Sequence, residues 1–347
     1  MQIFLFSVLL SEPAMRIVSS RKICFAIVSL LFATVSYADD MVLTDHPLVG
    51  KVWDMNSLSF VDEAEMLKRI SASKVLLLGE VHDNVVHHEL QQKLLMARIE
   101  SGDEPALMME QLDALSQPIL DQALAGEDRD MVLNNVTALI KFSDTQFYTP
   151  LLAVAIDNDL PVIAANVPNH HLRPVIWDGY EAYDADELKR LMVEDVWNES
   201  RQEYLARNMG GAHCGQLREE LRVGLTRSQR LRDALMTDSA IASVDRGVVA
   251  IVGSSHARYD IGLPLYFAAR APTSHILSIG FVEVTENAND PSVYNRVSAT
   301  GEAPYDVMWF TPRMDREDPC ANFDKSKLVM PPGMKVDSKV SPHVQKK

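Results

Sequence analysis

Three apolar runs in this 347-residue chain end in polar clusters. VLLLG runs into Glu80-Val81-His82-Asp83-Asn84, ALMM into Glu110-Gln111, and VVAIVG into Ser254-Ser255-His256-Ala257-Arg258-Tyr259. Carboxylates and imidazoles are the side chains that ligate divalent cations or carry protons near neutral pH. Glu80, His82, Glu110 and His256 therefore form a candidate set for a divalent metal ion or for acid–base catalysis. The Glu-x-His spacing lacks the i, i+4 geometry of the zinc helix, so spacing alone does not specify a metal. His87 and His88, one helical turn beyond Asn84, are placed to line the same region. Taken singly, each residue has a plainer role as a helix cap, a surface carboxylate or a hydrogen-bonded histidine. Tyr148, in DTQFYTPLL at the amino end of a helix, is either a core aromatic or a phenolate ligand to ferric haem, and Tyr259 has the same two readings.

The elements that position these residues follow from hydrophobic patterning. Lys74–Gly79, Ala106–Met109, Pro161–Ala165 and Val248–Gly253 are continuous apolar runs of the kind found in parallel strands covered on both faces. Further strands are expected at 275–284 and 305–310. Helical periodicity links them. Val86, Leu90, Leu94 and Ala97 follow a cap at Asp83 or Asn84, and Tyr148, Leu151, Leu152, Ala155 and Ile156 share one face, with Pro150 suited to a first turn. Ser59-x-x-Asp62 has the form of a capping box. Strand–helix alternation implies βαβ units, hence an α/β fold with a mainly parallel sheet flanked by helices. The charged stretch from about 170 to 245 lacks strand signals and carries leucines at helical spacing, so it is expected to be a helical insertion. In such sheets ligands bind at the rim formed by the carboxyl ends of the strands, where all three clusters would meet.

Composition narrows the function. There are 33 Lys plus Arg against 48 Asp plus Glu, a formal net charge of −15. That balance argues against nucleic acid and anionic membrane surfaces as partners. Residues 1–38 are expected to be a secretory signal peptide. Arg16, Arg21 and Lys22 precede the apolar run Ile23–Val35, and Ser36 and Ala38 stand at the −3 and −1 positions of a cleavage site. Met15 is a plausible alternative start. The remainder would be soluble in the periplasm or secreted, comprising a domain over 39–311 and an irregular tail over 312–347. It keeps Cys214 and Cys320, an even pair that an oxidising compartment favours as a disulfide.

The segments LLLGEVHDNVVHHELQQKLL, MMEQLD, FYTPLLAVAIDNDLPVIAANVP, HCGQL, RSQRLRDALMTDSAI and VVAIVGSSHARYDIGLP resemble, in order, the ChaN-type haem-binding uptake proteins, a family grouped with erythromycin esterases and Tiki/TraB proteins. The likeness extends over roughly residues 48–320. It implies an α/β sandwich with a helical subdomain, a Tyr-ligated haem and a homodimer around stacked haems, serving haem or iron acquisition with an outer-membrane haem receptor system. Carried over, the iron ligand falls on Tyr148, with Tyr259 second. The propionate-binding histidine falls on one of His82, His87, His88 or His256, and the cation on Arg173 or Arg258. HCGQL and the late DPC resemble members that keep both cysteines, which supports a Cys214–Cys320 bridge. The family's lipid-attachment cysteine is missing, and FSDTQF stands where a Trp-bearing loop is common. The alternative implied by the esterase branch is a metal-dependent or esterase-like hydrolase using Glu80, His82, Glu110 and His256. Haem is a dianion through its propionates, so an acidic chain must gather basic groups locally to hold it. A rim acidic throughout would favour a metal ion instead.

Overall fold

The structure is a computed structural model that describes residues 41–212, 214–294, 298–318 and 320–321. The expected signal peptide lies outside these residues, as does the tail from 322 onward. The chain enters through β1 (Met41–Val42) and a hairpin of β2 (Val52–Asp54) and β3 (Ser59–Val61), which leads into α1 (Glu63–Ala72). The capping-box expectation is corrected here. Ser59 pairs with Asp54 in the hairpin, and Asp62 caps α1 by accepting from the Glu65 N–H. Next come β4 (Val75–Glu80), α2 (Val85–Glu100) capped by Asn84, and β5 (Ala106–Asp113). Helices α3 (Gln117–Leu124), α4 (Arg129–Thr137) and α5 (Thr145–Asp157) lead to β6 (Val162–Asn166). Pro150 stands inside α5 and not in its first turn, because the helix starts at Thr145.

Between β6 and β7 (Val248–Gly253) the described residues form only helices: α6 (Asn169–Asp178), α7 (Ala185–Arg190), α8 (Glu199–Ala212) and α9 (Glu219–Ile241), with one 3-10 turn. Then follow α10 (Leu263–Arg270), β8 (Ile276–Glu283), β9 (Val307–Thr311) and the short β10 (Arg313–Met314), which pairs with β1.

The main sheet has eight strands in the order β3-β2-β9-β8-β4-β7-β5-β6. From β9 to β6 every neighbouring pair is parallel, and the β2–β3 hairpin closes one edge antiparallel. This is the expected α/β architecture. Leu76, Leu78, Met109 and Ile251 pack against α2 and α5 on one face, while Leu77, Met108, Ala250 and Val252 meet α9 and α10 on the other. Burial on both faces is why these strands read as unbroken apolar runs. A third core, around Leu172, Val175, Leu191, Leu205 and Leu231, belongs to the helical insertion. Register positions the rim: Glu80 pairs with Gly253, and Met109 with Ile251, so Glu110 ends level with the same turn.

Candidate functional site

Glu80, at the end of β4, is 1% exposed and gathers five partners. Its Oε1 accepts from the Tyr148 hydroxyl at 2.7 Å and from Gln111 Nε2 at 3.1 Å, and lies 2.7 Å from His82 Nδ1. Its Oε2 accepts from Gln91 Nε2 at 2.6 Å and lies 3.3 Å from His88 Nδ1. A buried carboxylate needs such donors, because desolvation would otherwise drive it out of its charged form. His82 keeps 42% of its side chain exposed and meets Phe142 edge-on. Burial alone would lower its pKa, but the Glu80 hydrogen bond and the charges of Glu110 and Glu80 raise it.

A second dyad faces the first. His256, in the turn after β7, bonds through Nδ1 to Asp233 of α9 and presents Nε2 at 3.5 Å to Glu110 Oε1. Glu110 Oε2 accepts the Gly253 N–H at 2.7 Å. Burial would depress the imidazole, yet Glu110 and Asp233 together raise His256 to about 10. Burial likewise pushes Glu110 upward, and the charge and hydrogen bond of His256, with His82 and the Gly253 amide, bring it down to about 2. Asp233 is shifted upward, chiefly by burial. Gly253 separates the dyads. A Cβ there would lie 3.1 Å from His82 Nε2 and 3.6 Å from Glu110 Oε2.

The structure thus brings Glu80, His82, Glu110 and His256 to one rim, as the strand ends imply. His88 borders it, donating through Nε2 to the His82 carbonyl at 3.0 Å. His87 turns away. Its Nδ1 accepts the Val81 N–H and its Nε2 bonds to Thr311 on β9, and burial holds its pKa well down. Tyr148 is fully buried in the rim's floor, and burial with the adjacent Glu80 charge drives its phenol pKa strongly upward. The Tyr259 hydroxyl points to the opposite end of the sheet, 2.8 Å from Asp306 Oδ2 and 3.1 Å from the carbonyl of Ile276, the first residue of β8. Arg258 is buried in a two-bond pair with Asp260, and Arg173 is exposed on α6.

Asp233, Gln91 and Gln111 were not anticipated. Asp233 has a sequence signal: Thr226, Arg230, Asp233 and Thr237 form a polar stripe at helical spacing on the buried face of α9. Among the described residues, no His, Cys, Asp and Glu side chains are grouped so that three or more could hold a metal ion. The rim donors are already committed to one another.

Beside the rim, and sharing His256 with it, lies a cavity of about 860 Å³. Its walls carry Tyr204, Tyr294, Tyr305, Met209 and Met308, with Arg207, Arg258 and Arg313. Arg207 and Arg313 are exposed at its surface. Glu283 lines the same cavity, and Arg232 of α9 stands close enough to Glu110 and Asp233 to feel their charges. A smaller hollow of about 400 Å³ between α3 and α4 contains none of the candidate residues.

The profile of the family described as "Haem-binding uptake, Tiki superfamily, ChaN" matches residues 66–267. The chain belongs to the ChaN family. Residues 66–267 include both dyads and the four helices of the insertion. Among solved structures, ChaN of Campylobacter jejuni, described as showing cofacial heme binding, superposes with a TM-score of 0.59 at 18% identity, over 74% of this chain and 95% of that one. A mutant of the erythromycin esterase EreC in its open conformation matches at a TM-score of 0.38 and 13% identity, over 66% and 76% of the two chains. A Bacillus cereus protein matches at 0.35 and 12%, over 70% and 71%. No curated protein sequence matches this ChaN-family chain.

Proposed function

We propose that this chain binds haem in the cavity beside the sheet rim and serves haem or iron acquisition. The observation that carries the reading is the composition of that cavity within a haem-binding family. Its volume lies in the range of about 300–1,000 Å³ typical of cofactor sites. Tyr305 and Met308 offer apolar and aromatic faces to a porphyrin, and Arg207 and Arg313 offer cations to propionates. A phenolate is an established axial ligand to ferric haem. Of the cavity tyrosines, Tyr294 and Tyr305 spend their hydroxyls on Thr285, Ala288 and Ser254. Tyr204 donates to no group among the described residues and is the ligand we favour. Ligation by Tyr148 requires its phenol to leave Glu80, and ligation by Tyr259 requires it to leave Asp306.

Hemin titration tests this. A saturable, shifted Soret band is expected for the wild type and for Tyr148→Phe, and a displaced band for Tyr204→Phe. No saturable band in the wild type would remove the haem reading; an unchanged band in Tyr204→Phe would remove only the ligand assignment.

A homodimer around paired haems and a soluble periplasmic location belong to the same proposal. The family and the Cys214–Cys320 bridge support them. Among the described residues no helix is long and apolar enough to cross a membrane. Sedimentation with and without hemin, and fractionation of expressing cells, test each in turn.

The facing dyads support a second reading, an esterase-like hydrolase. His82, oriented by Glu80 and open at Nε2, would be the general base, and His256, held protonated between Glu110 and Asp233, the general acid. Hydrolysis of p-nitrophenyl esters that disappears in His82→Gln would favour it. The divalent-metal version has less support, because these side chains already bond to one another.

A further inference from the structure

We infer that the rim holds an oxyanion-binding site, in which Arg232 takes the carboxylate or phosphate group of a small ligand. The site lies where β5 and β6 end side by side, with Asp113 paired to Asn166.

Arg232 follows Asp233 on α9 and is fixed from two other elements. Its Nη1 donates to Asn166 Oδ1 at 2.8 Å, and its Nη2 donates to Asn169 Oδ1 at 2.7 Å. Asn166 is the last residue of β6, and Asn169 is the first of α6. Both acceptors are neutral amide oxygens, so they orient the guanidinium fork without cancelling its charge. Its other N–H groups meet no acceptor among the described residues. Most of the ordered arginines are used differently. Arg190, Arg258 and Arg316 each hold a carboxylate directly, and Arg230, also on α9, lies over the Trp197 ring and bonds the Val193 carbonyl. Glu110, Asp233 and Asp113 are near enough for their charges to bear on Arg232, but none reaches ion-pair distance. Glu110 and Asp233 are instead turned to His256.

The charges of the rim are layered. Its carboxylates Glu80, Glu110 and Asp233 are buried, and the last two enclose His256. The groups that reach solvent are His82, with 42% of its side chain exposed, and half-buried Arg232. His170 and His171 follow Asn169 on α6. Asp113, half-buried at the end of β5, is the opposing charge on this side. An incoming cation would meet a guanidinium, whereas an oxyanion would meet a fork already aligned for two parallel hydrogen bonds. Alignment in advance lowers the entropy lost when the anion is bound.

For the hydrolase reading this site names a substrate class: esters that also carry a carboxylate or phosphate group, held by Arg232 while His82 and His256 act on the ester bond. The substrate class rests on that reading and anion binding does not, so two experiments separate them.

In the first, the purified chain is titrated at constant ionic strength with sodium phosphate and, separately, with sodium acetate. The side-chain amides of Asn166 and Asn169 are followed by NMR. A saturable shift is expected, and the anion that binds more tightly identifies the preferred group. Arg232→Gln should weaken binding by about tenfold or more, and Asp113→Asn should tighten it by about twofold or more. No saturable shift with either anion, or an affinity that either variant leaves unchanged, would overturn the site. Asp113→Asn decides alone if Arg232→Gln fails to fold. In the second, hydrolysis of p-nitrophenyl hexanoate is compared with that of mono-p-nitrophenyl adipate, which adds a carboxylate to the same chain length. kcat/KM should favour the adipate by about tenfold, and Arg232→Gln should abolish the preference. Equal kcat/KM for the two esters would overturn the substrate class. Hydrolysis of neither would remove the hydrolase reading, and the titration would still decide the anion site.

Discussion

At the scale of single residues, the rim is a problem in burying charge. Glu80, Glu110, Asp233 and His256 are all less than a tenth exposed, and each is held by partners on other elements. Removing one partner strands the rest. His256→Ala should cost about 3–5 kcal/mol in urea unfolding, because Glu110 and Asp233 would lose the charged partner buried between them. The pH dependence has a definite sign. Folded His256 titrates near 10 against an ordinary 6.5, so its stabilisation is complete below about 6.5 and is lost as pH rises through 10. Folded Glu110 titrates near 2 against 4.5, so its stabilisation is complete above about 4.5 and is lost as pH falls through 2. Thermal melts of the wild type should be flat in this respect between those limits, and His256→Ala should lose the alkaline decline. Tyr148→Phe should cost about 1–3 kcal/mol by removing a donor from buried Glu80. The four rim residues were legible because each follows an apolar strand. The cavity tyrosine Tyr204 was not, since nothing in an exposed helical sequence marks the side that faces a cavity.

At the scale of elements, the strands and their order of burial followed from unbroken apolar runs, and the helical insertion from their absence. The misreadings concern where helices begin. Ser59 looked like a cap but its strand pairing wins, and Pro150 looked like a first-turn residue but α5 starts earlier. Local signals of that kind compete, and in the first case the β2–β3 hairpin pairing decides between them. The packing of α6 against α9 offers a test. A Cβ on Gly224 would lie 2.0 Å from the Ile176 carbonyl oxygen, so the two helices approach too closely for any side chain there. Gly224→Ala should destabilise by about 1–3 kcal/mol or more, read as a lower Tm, because backbone must move to admit the methyl group.

At the scale of the whole molecule, the proposed haem reading asks a chain of formal charge −15 to accommodate a dianionic porphyrin. On that reading the propionates would meet Arg207 and Arg313 of the cavity and not the carboxylates of the rim. Reversing the charge at Arg207 and Arg313 together should weaken hemin binding by about tenfold or more at low ionic strength, with a smaller loss at high salt, as titrations at two salt concentrations would show. The bridge between Cys214 and Cys320 ties the insertion to the segment after β10, a pairing that the even cysteine count suggested. The sequence by itself determined the sheet, the helical insertion, the family and the four polar residues that meet at the rim, because these are written in periodicity and in the residues that follow each strand. Only the tertiary structure decided that Tyr148 is sealed against Glu80, that Asp233 holds His256, and that Arg207 and Arg313 line a cavity beside the rim. Those outcomes depend on which side chains remain open once every buried carboxylate has found its donors, and that accounting is settled across strands and helices far apart in the chain.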